Sequence, residues 1–558
     1  MNLKHMLIFL LVMTVLAWSG SNTHVTQSNA WQFAVFFNAL QAGDTLTIDP
    51  GHYPSLSSVN TRADGTADHR IVLRAAQKNT VFIANGSVEW AVVTNSYWTF
   101  ENLDFFDTLG GIHNFHIKPG GNYIIIRNCH FSSLQEAPVK MSSGGTSSGP
   151  YSDYLIFENN ESERVEGPFD SENLNGANLN GGWYHVIRGN YFHDISKTDA
   201  SQWWNFNGAY GAFVKAGSRY CIMENNLVKN INGFGLSFGG GLTGQQYFNA
   251  RSPYPIETKD CIMRNNVIVG PPGRDGGNRA IKIVYANDNY IYNNTVINAQ
   301  PITVAGNNSL GVWTGVGNVL KNNLTVNMFY ADSLWDVITG GIYSSTPGLA
   351  VDGIMFIFSG KYPFESIFDN QVYTQNTCTH NFRLDVADLH DIFWDPDSDD
   401  YRLKPTASHI MGHGAYLDTM APYDFLGNPR PNPPSYGAYE GYDAIDNYVT
   451  PIANGASREL RQRTHLKVMA AKVSPNPSTF SANIAYDVLN DMDPVEITLW
   501  DVRGHMVYNM YHGAHSTGHF SRTWNCCDHE GKPVAAGTYL VRFRSKMDQF
   551  HTKFSVVR

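Results

Sequence analysis

CIMENN at residues 221–226 is answered by CIMRNN at 261–266. The same form, an apolar run closed by a polar or charged residue and then an Asn pair or its equivalent, recurs as IIIRNC (124–129), LIFENN (155–160), HVIRGN (185–190), YIYNNT (290–295) and NVLKNN (318–323). The ladder position falls at Cys129, Asn160, Asn190, Asn226, Asn266, Asn294 and Asn323, so the period varies from 28 to 40 residues while the strand stays constant. A fixed strand with elastic connections is what a solenoid requires, because each coil stacks on the last and buries its inner face against its neighbours. Asn suits the corners, since it tolerates left-handed backbone and its amide can bond the same amide one rung away.

The residue two before the ladder position reads Glu101, Arg127, Glu158, Arg188, Glu224 and Arg264 down successive coils. Stacked parallel strands lie about 4.8 Å apart, where like charges repel and opposite charges contribute roughly 0.2–1 kcal/mol per pair. The alternating sign therefore predicts these side chains in register on the outer surface. Met223 and Met263, and Cys221 and Cys261, repeat at positions expected to stack inside.

The rest of the chain agrees. Its 558 residues exceed one ordinary domain, and 50 Gly, 13% aromatic and 16% charged residues suit a β-rich secreted protein with many turns. Lys4 and His5, the apolar run Met6–Trp18 and the small residues Ser19-Gly20-Ser21 read as a signal peptide over 1–21. No other segment is long and apolar enough to span a membrane. Six Cys are too few for a disulfide scaffold of this size, and Cys221 and Cys261 read as buried thiols.

Residues 29–42 place Trp31, Phe33, Phe36, Phe37 and Leu40 at roughly helical spacing with Gly43 as the stop, which predicts a helix capping the open end of the solenoid. Coils are expected from 44 to about 335. A closing segment through Asp424–Glu440 then seals the far end, so that residues 22–445 form one domain. Residues 446–470 read as a linker. Beyond it Val495–Leu499 and Tyr539–Phe543 alternate in twos between turns, as in a small immunoglobulin-like β-sandwich over 471–558. The fold class is thus all-β, a parallel β-helix followed by a β-sandwich.

SPNP (474–477), LWDVRGHMV (499–507), GKPVAAGTYLVRF (531–543) and the terminal KFSVVR resemble the C-terminal sorting domain of the bacterial type IX secretion system. That resemblance implies recognition by outer-membrane secretion machinery and a secreted or surface-attached protein. The sequence departs from it at Trp524-Asn525-Cys526-Cys527, where the family usually has a Gly after the Trp-Asn pair. GDTLTIDPGHY (43–53), the coil repeats, DYRLKPTASHIMGHG (400–414) and DFLGNPRPNPPSYGAYE (424–440) resemble the right-handed parallel β-helices of the pectate-lyase-like superfamily, including lyases similar to alginate lyase and chondroitinase B. The same scaffold carries several chemistries.

Aligning the coils on their Asn pairs puts Lys118, Lys140, Lys215 and Lys282 on one strand face, each after an inward Ile or Val (Ile117, Val139, Val214, Ile281). A cationic stripe on a chain of net charge −10 suits an anionic linear polymer. Insertions beside this face carry Trp183, Trp203, Trp204 and Tyr247, which can stack on sugar rings or pack the loops down. A lyase acting on a uronate polymer needs a base and a cation for the developing charge. Lysine can serve as base if burial and neighbouring cations lower its pKa. Lys215 with Arg219 is the first candidate, Lys282 with Arg279 the second. Glu166, Asp170, Glu172 and Asp199 are candidate ligands for a Ca²⁺ ion, the one cofactor expected. The chondroitinase B-like lyases place two carboxylates shortly before the base lysine, whereas Gln202–Val214 contains none. A hydrolase would need paired carboxylates, and none is recognised on the strand face. A noncatalytic glycan-binding surface protein is the reading from another class. No nucleic-acid partner is expected, and the chain reads as a monomer.

Overall fold

The computed structural model describes residues 20–441 and 468–557 apart from stretches within them, the longer being 164–173, 196–208, 271–278, 327–341 and 359–376. The chain divides into two compact units, Met1–Ile452 and Ala453–Arg558. The expected leader at 1–21 falls almost wholly outside the described residues, as does most of the expected linker. Among the described residues no helix is long and apolar enough to cross a membrane.

In the first unit, three parallel sheets of ten, thirteen and twelve described strands run along one axis. One coil supplies one strand to each, as in Ala209–Lys215, Ile222–Glu224 and Leu227–Lys229. This is the parallel β-helix that the repeat predicts. It continues beyond 335, because Ile342–Ser344, Ala350–Asp352, Met355–Phe358, Thr377–Thr379 and Phe382–Asp385 extend the same three sheets.

The corner between the thirteen- and twelve-stranded sheets explains the Asn pairs. The first member (Asn128, Asn159, Asn225, Asn265, Asn293, Asn322) takes a left-handed φ of 51–55°, a conformation Asn enters more readily than other side-chain-bearing residues. The second member is buried and hands its amide to the next rung. Nδ2 of Asn160, Asn190, Asn226, Asn266 and Asn294 donates to Oδ1 of Asn190, Asn226, Asn266, Asn294 and Asn323 at 2.9–3.2 Å. Beside this ladder the alternating charges pair as predicted: Arg127 with Glu101, Arg188 with Glu158 and Arg264 with Glu224, at 2.6–2.7 Å. The interior stacks Phe100, Phe105, Phe115, Phe131, Phe157 and Phe192, then Met223 and Met263. Cys129, Cys221 and Cys261 are free and buried.

The cap is shorter than the pattern suggests. A 3-10 turn, Ala30–Gln32, leads into the helix Phe33–Ala39. Phe33 stacks on Trp90 and Phe37 on Trp98, sealing the first coils. Trp31 is 78% exposed, not on the buried face, because the first turn is 3-10 and rotates it outward. In its described contacts the Pro/Gly-rich segment near 410–440 lies along the flank. Its carbonyls at Ala415, Met420, Tyr423 and Ser435 accept from Asn322, Arg264, Asn265 and Asn293, the residues of the Asn corner.

The second unit is a β-sandwich with a three-stranded sheet (Val468–Ser474, Ala482–Val488, Gly518–Trp524) and a four-stranded one (Met506–His515, Met492–Asp501, Gly537–Arg544, Gln549–Val556). Leu499 pairs with Val541 across the alternating strands. Trp524, Tyr486, Ile497, Phe543 and Phe554 fill its core.

Candidate active site

The ten-stranded sheet carries the candidate lysines, and the insertions enter and leave beside it. Three of its strands carry a glycine at one shared row. Gly176, Gly211 and Gly235 stack there, and a Cβ on Gly176 would lie 2.2 Å from the Phe192 ring and one on Gly211 2.5 Å from the Gly235 carbonyl. Only glycine admits so close an approach of successive backbones. Beyond this row two columns face outward. In the first, His116, Lys140, Asn178, Phe213, Ser237 and Lys282 stand in register. In the second, two residues on, Asn180 pairs with Ser142 and Lys215, and Lys118 follows directly after the end of its strand His113–Ile117, two residues beyond His116.

The single stripe read from the sequence is therefore two. Lys140 and Lys282 share one column, Lys118 and Lys215 the other. The alignment rested on the Asn corner, and the connection from the ten-stranded to the thirteen-stranded sheet varies in length enough to shift the count by two. The inward positions are as expected: Ile117, Val139, Val214 and Ile281 are fully buried.

The columns separate into two chemically different clusters. Toward the N-terminal end the lysines are neutralised. Lys118 Nζ lies 3.0 Å from Glu89, which also bonds His116, and Lys140 lies 2.7 Å from Glu136, which His113 approaches at 3.7 Å. His116 Nε2 is 2.8 Å from Ser142 Oγ. Burial lowers the His113 pKa to about 4 despite Glu136, so this ring is neutral at physiological pH. Glu89 and Glu136 are carboxylates on the face that seemed to lack them. Glu89 opens its strand and Glu136 immediately precedes its own, away from the Asn corner on which the alignment rested, and the pattern did not reach them.

Toward the C-terminal end the face is cationic and aromatic. Tyr210 stacks on Phe234 at 5.2 Å and meets Phe213 edge-on at 5.1 Å. Lys282 Nζ donates to Tyr210 Oη at 3.0 Å and sits 4.3 Å from the Phe234 ring centre, with Arg279 over the same ring at 5.6 Å. Lys215 Nζ lies 4.7 Å from the Phe213 centroid. Burial, then the positive charge of Arg279, brings the Lys282 pKa down to about 8. Burial also lowers that of Lys215, against the pull of Glu257. Tyr210 is pushed up to about 12 by burial and by Glu257, and stays a phenol. Sequence reasoning had no signal for Tyr210, which lies outside the coil repeat, or for Glu257.

Other candidates are engaged elsewhere. Arg219 is buried in the two-stranded pairing of Ser218–Arg219 with Thr258–Lys259, and its guanidinium donates to the carbonyls of Ser218 and Ile256. It holds a turn and does not join the lysines. The Trp183 indole donates to Ser252 Oγ at 2.9 Å and packs beneath Arg251, which pairs with Asp153. It ties loops together. Tyr247 ends the 3-10 turn Gln245–Tyr247 in the insertion after Gly240. Trp203, Trp204, Glu166, Asp170, Glu172 and Asp199 lie outside the described residues. Among the described residues no group of three or more His, Cys, Asp or Glu is arranged to hold a metal ion.

Residues 471–548 match the FlgD Ig-like domain family. No curated protein matches the chain. Among solved structures, the chain is similar to a rhamnogalacturonan lyase (14% identity, 66% of this chain and 86% of that one, TM-score 0.42). It is also similar to a PL6 family polysaccharide lyase from Pseudopedobacter saltans (13%, 65% and 92%, 0.39) and to a GH136 lacto-N-biosidase from Eubacterium ramulus (12%, 68% and 70%, 0.39). Identities this low carry no information about chemistry.

Proposed function

We propose that the chain is a polysaccharide lyase that cleaves an anionic, uronate-containing polymer by β-elimination. The observation that carries this reading is the Lys282–Tyr210 pair. An amine with a pKa of about 8 stands 3.0 Å from a phenol held at about 12. In β-elimination a base removes the proton α to the carboxylate, the electron pair forms the C4–C5 double bond, and the C4–O4 bond breaks as the leaving oxygen takes a proton. Neutral Lys282 accepts the C5 proton and Tyr210 supplies the proton to O4. The hydrogen bond between them then returns the proton to Tyr210, so one pair serves both steps. Arg279 and the charged form of Lys215 neutralise the substrate carboxylate, which acidifies the C5 proton.

A hydrolase reading fares worse. Its general acid needs a raised pKa, whereas Glu89 is lowered: burial alone would raise it, but hydrogen bonds and charge from His116 and Lys118 prevail. A polymer substrate cannot cross a membrane, so the proposal includes export and action outside the cell. The test is incubation of the full chain with pectate, alginate, rhamnogalacturonan and glycosaminoglycans, with and without Ca²⁺, following the ultraviolet absorbance of an unsaturated uronate. A rise that disappears in Lys282→Met supports the lyase. Retained binding of one polymer with no absorbance change from any of them rejects it in favour of a glycan-binding protein.

A further inference from the structure

Glu257 is a fully buried carboxylate at the end of the long insertion that follows Gly240. Its Oε2 accepts the Ala216 N–H at 2.7 Å, and its carbonyl accepts the N–H groups of Gly217 and Ser218 at 2.8 and 3.1 Å. These three residues form the turn that leaves Lys215. Ala216 holds a left-handed φ of 57°, which an L-residue keeps only under external constraint. On its other side the Glu257 N–H donates to the carbonyl of Tyr285, just beyond the strand Arg279–Val284 that carries Lys282. Glu257 thus joins the ends of the two lysine strands across the intervening rung, where its Cβ would lie 3.3 Å from a Cβ on Gly239.

We propose that Glu257 is a positioning residue for the lysine pair: it clamps the turn after Lys215, and its buried charge favours the ammonium form of both lysines, which keeps Lys215 a cation. The proposal rests on the lyase reading for the roles of the two lysines, but the clamp and the charge coupling stand apart from it. Among the described residues, the groups facing Lys215 include Glu257, Lys140, Glu136 and Lys282, and those facing Lys282 include Arg279, Glu257, Lys215 and the Tyr210 hydroxyl. Glu257 favours the charged form of both lysines, and Lys215 in turn disfavours charge on Lys282. Gly240 leaves room for the Lys215 side chain, since a Cβ there would lie 2.4 Å from Lys215 Cδ.

Glu257→Gln keeps the shape and removes the charge. It is best made with Ala216→Gly, because glycine takes the left-handed turn without the clamp, and Ala216→Gly alone is the control. The readout is competitive acetylation of Lys215 and Lys282 as a function of pH, measured on peptides by mass spectrometry, which needs no substrate. With Glu257→Gln both lysines react at lower pH than in the control, and in the activity assay the acidic limb of the kcat/KM profile moves to lower pH while KM rises. Unchanged lysine titration with reduced activity leaves Glu257 a merely structural residue and overturns the proposal. Shifted titration in a protein that never produces unsaturated product upholds the coupling and rejects the lyase reading.

Discussion

Cys526 holds a φ of 54° after the Trp-Asn pair, a position that costs a side-chain-bearing residue about 1–2 kcal/mol relative to glycine. Its thiol is buried in the sandwich core beside Trp524, whose indole closes the turn by donating to the Cys527 carbonyl at 2.7 Å. Burying a small apolar group returns a comparable amount, which offsets the strain of a side chain at this turn. Cys526→Gly is therefore expected to change the stability of this unit by less than about 1 kcal/mol, whereas Cys526→Val, β-branched at positive φ, costs more than about 2 kcal/mol. Urea denaturation of the two variants checks both. Lys282 yields a second residue-scale expectation. Because the neutral amine is the reactive form, kcat/KM rises as pH passes through about 8. A pH–rate profile that is flat from 6 to 9 excludes Lys282 as the base.

The Asn ladder is the element on which the coils depend. Asn226 Oδ1 accepts from both the main chain and the side chain of Asn190, while its Nδ2 donates to Ile187 O and Asn266 Oδ1. Asn226→Ala strands several buried polar groups at once, and at about 1–3 kcal/mol each the helix unit loses at least about 3 kcal/mol, measurable by chemical denaturation. The twelve-stranded sheet carries a second polar element. His193 bonds Asp194 at 2.8 Å and Glu161 at 3.1 Å, and His130 bonds Asp104 and Glu163 at 2.9 and 3.1 Å. Burial opposes charge on His193, but Asp194, Glu161 and Glu163 outweigh it and lift its pKa to about 10. A folded pKa above the unfolded 6.5 means that this stabilisation is complete below pH 6.5 and is lost as pH rises toward 10. The melting temperature should therefore fall across that window, and less steeply in His193→Gln. The ladder and the charge pairs were legible in the sequence because they recur once per coil at a fixed offset from the corner. The histidine–carboxylate cluster, Glu89, Glu136, Tyr210 and Glu257 were not, because each occurs once and is brought to its partners only by stacking across insertions of unequal length.

At the scale of the molecule, a solenoid coil touches only its neighbours, so stability is close to a sum of rung and interface contributions. The flank segment near 410–440 breaks that rule for the coils it binds. It binds the corner residues Arg264, Asn265, Asn293 and Asn322, and its own shape depends on a buried ion pair between Arg430 and Glu440. Arg430 also reaches Asn265 Oδ1 at 2.9 Å, and Glu440 accepts from the Ser435 N–H and hydroxyl. Removing one partner of a buried pair leaves the other charge uncompensated and costs about 3–5 kcal/mol. Arg430→Ala is therefore expected to loosen several coils together and not one rung. Hydrogen exchange should quicken in 262–297 and 319–326, where the segment docks, while 71–131, which it does not touch in any described contact, keeps its protection. Confinement of the change to 424–440 would mean that the segment decorates the coils without coupling them. Quickened exchange along the whole helix would mean that the unit unfolds in one step and that the nearest-neighbour description fails for it.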